Sequence, residues 1–349
     1  MVIARAGAPI PPLRVASTAF GHNYDRSLYD PLRDRVSETG PLAALEDIDL
    51  FHLHWPEYLA FDDDATHEAI IAELDGRSIP IVWTAHNLTP HAKNAAAFDP
   101  IYSRWARAAA AVIHHSHWGE RRMRARYRFR ASTEHIVLPH GHFGHLWPDL
   151  DRLDRRAIEN EFGFEPCPLR IGMLGRPRVE KRTVDFMRGF ASCRRSDLQL
   201  AVWCLAPGEN PPQDERIVAA EPYHRVEPSA YAKRLAVCDL LALPFDPEGE
   251  MLSTGLVADA IGVGIPVLAS SWGYLTETLG AGAIRCGMDA ADIAACLDLL
   301  TREQVSQAAA TCRARRPAFD WQPIAALTFD VFARVVLRAR SAGPADPIA

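Results

Sequence analysis

The sequence predicts an α/β protein of two Rossmann-like domains, facing each other across a cleft. Two observations carry this expectation. Short apolar runs alternate with amphipathic stretches along nearly the whole chain, the pattern of parallel sheets covered by helices. A polar segment from Trp147 to Pro168, holding a short helix and an E-P-C-P stretch, separates two such series. Length agrees: 349 residues exceed one ordinary core and suit two domains of about 150 residues each.

In the first series, strands are expected at Leu13–Ser17, Ile48–Leu53, Ile79–Thr84, Ala111–His114 and His135–Leu138, with helices at Thr66–Leu74 and Trp118–Tyr127. In the second, strands are expected at Leu169–Leu174, Gln199–Leu205, Asp239–Leu243, Ile265–Ala269 and Ala283–Cys286. Helices follow at Val179–Ala191, Ser229–Val237, Leu256–Gly262 and Ala290–Leu300. The expected domains are 1–155 and 156–320. A tail, 321–349, carries a helix at Ile324–Arg338 as a candidate to pack back on the first domain. Ligands of such sheets bind at the carboxyl ends of the strands.

Composition narrows the class. A net charge of −6 argues against a nucleic-acid partner. No apolar run approaches the roughly 18–20 residues that span a bilayer, and residues 1–12 do not read as a secretory leader. Seven cysteines without a C-x-x-C pair suit free thiols and a cytoplasmic setting. No G-x-G-x-x-G follows the first strand of either half, and no P-loop or G-x-S-x-G occurs.

The segment Ile171–Lys181 ends an apolar strand at Gly175 and continues through a basic loop to a helix start near Lys181. Glycine allows close backbone approach, a helix start offers amides and a positive dipole end, and Arg176 and Lys181 add cations. Chemistry that expels a nucleoside diphosphate needs such a place, because negative charge grows on the departing phosphate. The bland alternative is a βα turn with solvated cations. Later, Leu243–Ser270 runs from a strand into Ser253-Thr254-Gly255, where another helix opens at Leu256. Those hydroxyls could hold phosphate or ribose, or simply cap the helix.

These segments resemble the GT-B-fold glycosyltransferases, and specifically the large retaining family four (group 1). Gly175, Arg176 and Lys181 match its G-R-x-x-x-x-K motif, in which Arg and Lys hold the diphosphate. Gly262–Val267 matches the A-x-G-x-P-V end of its E-x7-E helix. Asp259 stands where the second Glu, a ribose ligand, is usual, and Glu250 lies one residue out of register. Trp272–Glu277 resembles the family's next phosphate-side loop. The implied donor set is Gly175, Arg176, Lys181, Glu250, Ser253, Thr254, Gly255, Leu256 and Asp259.

In the first half, Gly21–Tyr29 is similar to an N-P-Y…L-L-Y pattern and Trp83–His91 to an H-N-x-x-P-H motif. Val112–His117 and Val137–Gly141 resemble the V-I-x-x-S and I-P-x-G steps. The resemblance implies catalytic roles in orienting the sugar or acceptor for His86 and His91. It implies acceptor contacts from His22, Asn23, Tyr24, Asn87 and His140. The implied activity is hexosyl transfer from a UDP- or GDP-sugar to a glycan, glycolipid or small-molecule acceptor, with retention, no metal and no further cofactor. Inversion would instead require a carboxylate base, for which the Asp62–Asp64 cluster is a candidate.

Two other classes remain open. Twelve of the fourteen histidines lie between His52 and His145. His52 and His54 share a strand face and could both ligate zinc in a metal-dependent hydrolase, although no H-E-x-x-H occurs. A non-catalytic sugar-nucleotide-binding protein is the third reading, since fold alone does not establish turnover. Arg121–Arg130 packs six arginines into ten residues. It is read as a solvated helix face with Met123 and Tyr127 inward, or as a peripheral contact with anionic lipid at the inner membrane face.

Overall fold

The computed structural model describes residues 11–41, 45–90, 95–147, 152–246 and 250–342. The chain divides into two compact units: 1–139 with 250–253 and 321–349, and 140–249 with 254–320. The first segment of the first unit runs to Pro139, against an expected boundary at 155. The helix Arg155–Phe162, inside the presumed linker region, belongs to the second.

The first unit holds a six-stranded sheet of β1 (Leu13–Ser17), β2 (Val36–Thr39), β3 (Leu50–Leu53), β4 (Ile81–Ala85), β5 (Ala111–His114) and β6 (Glu134–Val137), in the order β2-β1-β3-β4-β5-β6. Every pairing is parallel. All residues of β3, β4 and β5 are buried, as expected of strands covered on both faces. Phe51, Trp83, Tyr102 and Trp105 fill the core, with Phe51 and Trp105 stacked at 5.8 Å. The order reverses between β1 and β3, and a ligand crevice forms beyond the carboxyl ends at such a reversal.

The final helix, Trp321–Ala342, packs on this unit. Phe332 meets the His52 ring edge-on at 5.0 Å, and Arg334 and Arg338 both pair with Glu134. Residues 250–252 also join this unit. Leu88 N–H donates to the Glu250 carbonyl at 2.8 Å and Leu252 N–H to the His86 carbonyl at 3.1 Å, around an antiparallel bridge between Asn87 and Met251. Leu252, 2% exposed, lies in the first unit's core.

The second unit repeats the plan with β7 (Leu169–Met173), β8 (Leu198–Leu205), β9 (Ile217–Pro222), β10 (Leu240–Leu243), β11 (Val267–Ala269) and β12 (Ala283–Arg285). Their order is β12-β11-β10-β7-β8-β9, again wholly parallel. This is the dinucleotide-domain order, with its reversal between β7 and β10. The ten expected strands are all present, each boundary within two residues. The helix expected from Val179 is different: a 3-10 turn, Val179–Lys181, precedes Arg182 at φ 47°, and the α-helix proper is Thr183–Ser192.

Candidate active site

In the second unit the loops after β7 and β10 leave the sheet side by side, because the two strands are parallel neighbours. Asp246 N–H donates to the Glu180 carbonyl at 2.8 Å and so ties the loops together. Gly175 turns the first loop at φ 84°, a conformation that strains side chains other than glycine. A Cβ there would stand 3.0 Å from Lys181 Nζ and 3.1 Å from Leu256 Cδ1. Three parts of the motif therefore meet at one point.

Lys181 is the unusual group. Its residue is 6% exposed, and Nζ donates to the Leu174 carbonyl at 3.3 Å and lies 5.7 Å from the centre of the Phe245 ring. Among the described residues no carboxylate forms an ion pair with it. Burial of the charge pulls its pKa from 10.5 down to about 8. A buried cation with one carbonyl partner is suited to receive an anion. Arg176, in the same loop, is exposed, and among the described residues no carboxylate pairs with it either.

The helix Gly255–Val263 opens at the same place, capped by Thr254, whose side chain accepts Leu256 N–H at 3.4 Å. Gly255 brings its backbone under the rings of Phe143 and His140, where a Cβ would stand 3.3 Å and 3.7 Å away. Asp259 is 5% exposed. It accepts the Phe143 N–H at 3.1 Å and the Tyr231 hydroxyl at 3.3 Å, so one oxygen holds the 140–144 segment and the other the helix Pro228–Ala236. Burial raises its pKa from 3.8 to about 7. A folded pKa above the unfolded one favours the fold in acid, and that contribution is lost as pH rises through about 7. Relative to Asp259→Asn, wild-type stability is expected to fall by about 2–4 kcal/mol between pH 4 and pH 7. Urea denaturation of both proteins across that range checks it.

Glu250 serves elsewhere. Its carboxylate lies 3.3 Å from Arg126 and accepts the Thr89 hydroxyl at 3.3 Å, within the first unit. The register departure from the family motif thus coincides with a stretch that pairs as a short strand with 86–88. Ser253, 9% exposed, is the last residue of that stretch.

At the carboxyl ends of β3, β4 and β5 the first unit gathers histidines. His86, 5% exposed, has its ring stacked on Trp55 at 4.3 Å and edge-on to Tyr24 at 4.8 Å. Its Nε2 is 3.1 Å from His54 Nδ1. His54 Nε2 lies 3.2 Å from both Asp25 Oδ1 and His52 Nδ1. Tyr24 also packs against His115 and Trp321. His22 caps the helix Asn23–Tyr29 by accepting the Tyr24 N–H at 3.1 Å, and Asn23 is exposed at that helix start. Asn87 is 5% exposed on the bridge to Met251. His140 belongs to the second unit, edge-on to Phe143 at 5.6 Å. His91 lies outside the described residues.

Several groups here were not foreseen. Asp25 and Tyr29 come from the helix after β1, where a buried acid among apolar positions was the available signal. Glu57, at the β3 end after His54-Trp55-Pro56, is half-buried and accepts the Tyr102 hydroxyl at 2.9 Å. Burial raises its pKa above the usual carboxylate range. Of the Asp62–Asp64 cluster named as a candidate base, Asp63 caps a helix through Thr66 and Arg104 holds Asp64 at 2.8 and 3.0 Å.

The arginine run forms most of the helix His117–Arg126 and its continuation, with Met123 and Tyr127 buried. Arg126 pairs with Asp99 and Glu250, and Arg124 with Glu120. Arg128 and Arg130 line a groove of about 550 Å3 with Arg104, Arg107 and Phe129. It lies toward the amino-terminal ends of β5 and β6, where Phe129 meets the His135 ring at 4.7 Å, at the opposite end of the strands from His54 and His86. Among the described residues no helix is long and apolar enough to cross a membrane.

No protein-family model matches the chain. It is 26% identical over 268 residues to a GDP-mannose:glycolipid 4-beta-D-mannosyltransferase of Xanthomonas campestris pv. campestris, covering 70% of this chain and 69% of that protein. Among solved structures it is similar to Anabaena HepE in complex with UDP and glucose, at TM-score 0.68 and 14% identity, over 92% of this chain and all of that one. It is also similar to sucrose-phosphate synthase from Thermosynechococcus elongatus, at TM-score 0.63 and 15% identity, over 83% and 74% of the two chains. Two parallel six-stranded sheets, the ordered motifs and these relatives together make the chain a GT-B-fold glycosyltransferase similar to the group 1 enzymes.

Proposed function

We propose that the protein transfers a hexosyl group from a nucleoside diphosphate sugar to a glycolipid acceptor, with GDP-mannose the first donor to test. The observation that carries the reading is Lys181, a buried cation without a carboxylate partner at the β7–β10 reversal. There it would neutralise the leaving diphosphate with Arg176 and the amides of the helix at Gly255. With those charges in place, donor activation needs no metal and no further cofactor. Asp259 then acts by holding the 140–144 segment, and Glu250 by anchoring its own loop. The mannosyltransferase of Xanthomonas supports both the donor and the glycolipid acceptor.

The product configuration has a second reading. The resemblance to family four implies retention. The relative's name describes a β-mannoside, and GDP-mannose carries its sugar α-linked, so that reaction inverts the anomeric centre. We favour inversion here. The acceptor hydroxyl then needs a base, and Glu57 suits it by position at the β3 end and by its raised pKa. His86 would orient the sugar or acceptor.

The protein would work at the cytoplasmic face of a membrane. The groove at Arg128 and Arg130 is the proposed lipid contact, supported by Phe129 and by four arginines against two carboxylates, Glu68 and Asp75, with Arg104 already paired to Asp64 and Glu68. The test is incubation with GDP-mannose, UDP-glucose or ADP-glucose and a lipid-diphosphate-linked glycan. Nucleotide release and a β-linked product by NMR are expected. An α-linked product would restore retention and remove the role of Glu57. No product and no nucleotide release with any donor would overturn the enzyme reading in favour of a sugar-nucleotide-binding protein.

A further inference from the structure

We propose that Asp25, His52 and His54 bind a divalent metal ion, zinc in the first instance, inside the first unit. His52 and His54 were candidate zinc ligands from their spacing. The structure adds the third ligand and the position at the β1–β3 reversal. One ligand-capable atom from each residue lies within 4.8 Å of the others. His54 Nε2 is 3.2 Å from both Asp25 Oδ1 and His52 Nδ1. Tetrahedral zinc with ligands at about 2.0–2.1 Å sets their atoms about 3.4 Å apart, so little movement is needed.

Two further features point to an ion. Neither oxygen of Asp25 accepts an aligned hydrogen bond, although the residue is wholly buried. Among the described residues no Lys or Arg pairs with it. The Glu38 carboxyl and the Ser17 hydroxyl face it, and two carboxyls side by side in a buried place need a shared proton or a cation. The outward nitrogens of both imidazoles are meanwhile engaged, His52 Nε2 with Thr84 Oγ1 at 2.8 Å and His54 Nδ1 with His86 Nε2 at 3.1 Å. Hydrogen bonds on the far nitrogen are what fix a metal-ligating histidine in its tautomer. Tyr29 Oη, 2.6 Å from His52 Nδ1, is the nearest oxygen for a fourth position. Borderline nitrogen and oxygen donors suit zinc or cobalt better than magnesium or calcium.

His52, His54 and Asp25 are at most 1% exposed, so the ion would be structural and would not activate a water. It would hold His54, and through it the ring of His86. This inference does not depend on the donor or the product configuration.

The experiment uses untagged full-length protein, stripped with dipicolinate and then titrated with Zn2+ or Co2+. Wild type is expected to take up about one equivalent, to melt at a higher temperature with zinc, and to show the intense visible d–d bands of tetrahedral cobalt. His54→Gln and Asp25→Asn are expected to lose the bands and the stabilisation. Should either variant fail to fold, the wild-type titration decides alone. No uptake beyond about a tenth of an equivalent, with no bands and no change in melting, would overturn the proposal. So would uptake undiminished in folded Asp25→Asn and His54→Gln, which would place the ion on surface histidines.

Discussion

Lys181→Met is expected to lower kcat/KM for the donor by about 10²–10³, the usual loss when one charge-stabilising group is removed from a leaving anion. The same change should leave the ligand-free protein at least as stable as wild type. The reason is the sign of the pKa shift. The folded pKa of about 8 lies below the unfolded 10.5, so folding disfavours the charged lysine. Below pH 8 that penalty is present in full, about 3 kcal/mol, and it disappears as pH rises toward 10.5. A methionine of similar volume avoids it. A residue that costs stability and sits in a motif loop is retained for what it binds. The pH dependence follows: free enzyme loses the Lys181 charge above about pH 8, and kcat/KM for the donor should fall about tenfold per pH unit there. Steady-state kinetics and urea denaturation of wild type and Lys181→Met check both halves.

Glu57→Gln is expected to reduce kcat by about 10²–10⁴ with little change in donor KM, the range for removal of a general base. Gln keeps the hydrogen bond from the Tyr102 hydroxyl, so a folding defect is not expected. The base must be ionised, and burial raises the Glu57 pKa. The acid limb of the wild-type profile should therefore lie above the usual carboxylate range, and the variant should lack it. With Lys181 on the alkaline side, kcat/KM describes a bell. A kcat within a few-fold of wild type for Glu57→Gln would remove the base from Glu57 and favour retention.

Much of the fold was legible because its central strands are buried on both faces. Ile81–Ala85 and Leu240–Leu243 contain almost nothing but apolar residues, a pattern that survives without tertiary information. Two of the four edge strands, β2 and β9, were not legible. Val36–Thr39 holds one apolar residue and buries it alone, while Ile217–Pro222 opens with Ile-Val-Ala-Ala but is cut short by Glu221 and Pro222 and buries none of its residues. At the donor site, Gly175 and Lys181 were visible as motif positions, but the burial of Lys181 was not. It arises from Leu256 and Phe245, which are distant in sequence.

Glu250 and Asp259 show the complementary limit. Both are carboxylates close to motif positions, and a motif reads residue type. The structure shows what already occupies them: Arg126 and Thr89 on one, the Phe143 amide and the Tyr231 hydroxyl on the other. Those partners come from segments whose approach depends on chain topology. The histidine cluster was legible as a count and as an H-x-H spacing. Asp25 was not, because it enters from the helix after β1 and meets His54 only where the strand order reverses.

The most direct test of the donor site is calorimetric titration of GDP-mannose and UDP-glucose into wild type and Lys181→Met at pH 7 and pH 9. The predicted result is one site per chain for one of these donors, weaker at pH 9 than at pH 7 in wild type. In Lys181→Met the site should be at least tenfold weaker at pH 7, with the pH dependence gone. Equal affinity in both proteins at both pH values would contradict the assignment of Lys181 to the diphosphate.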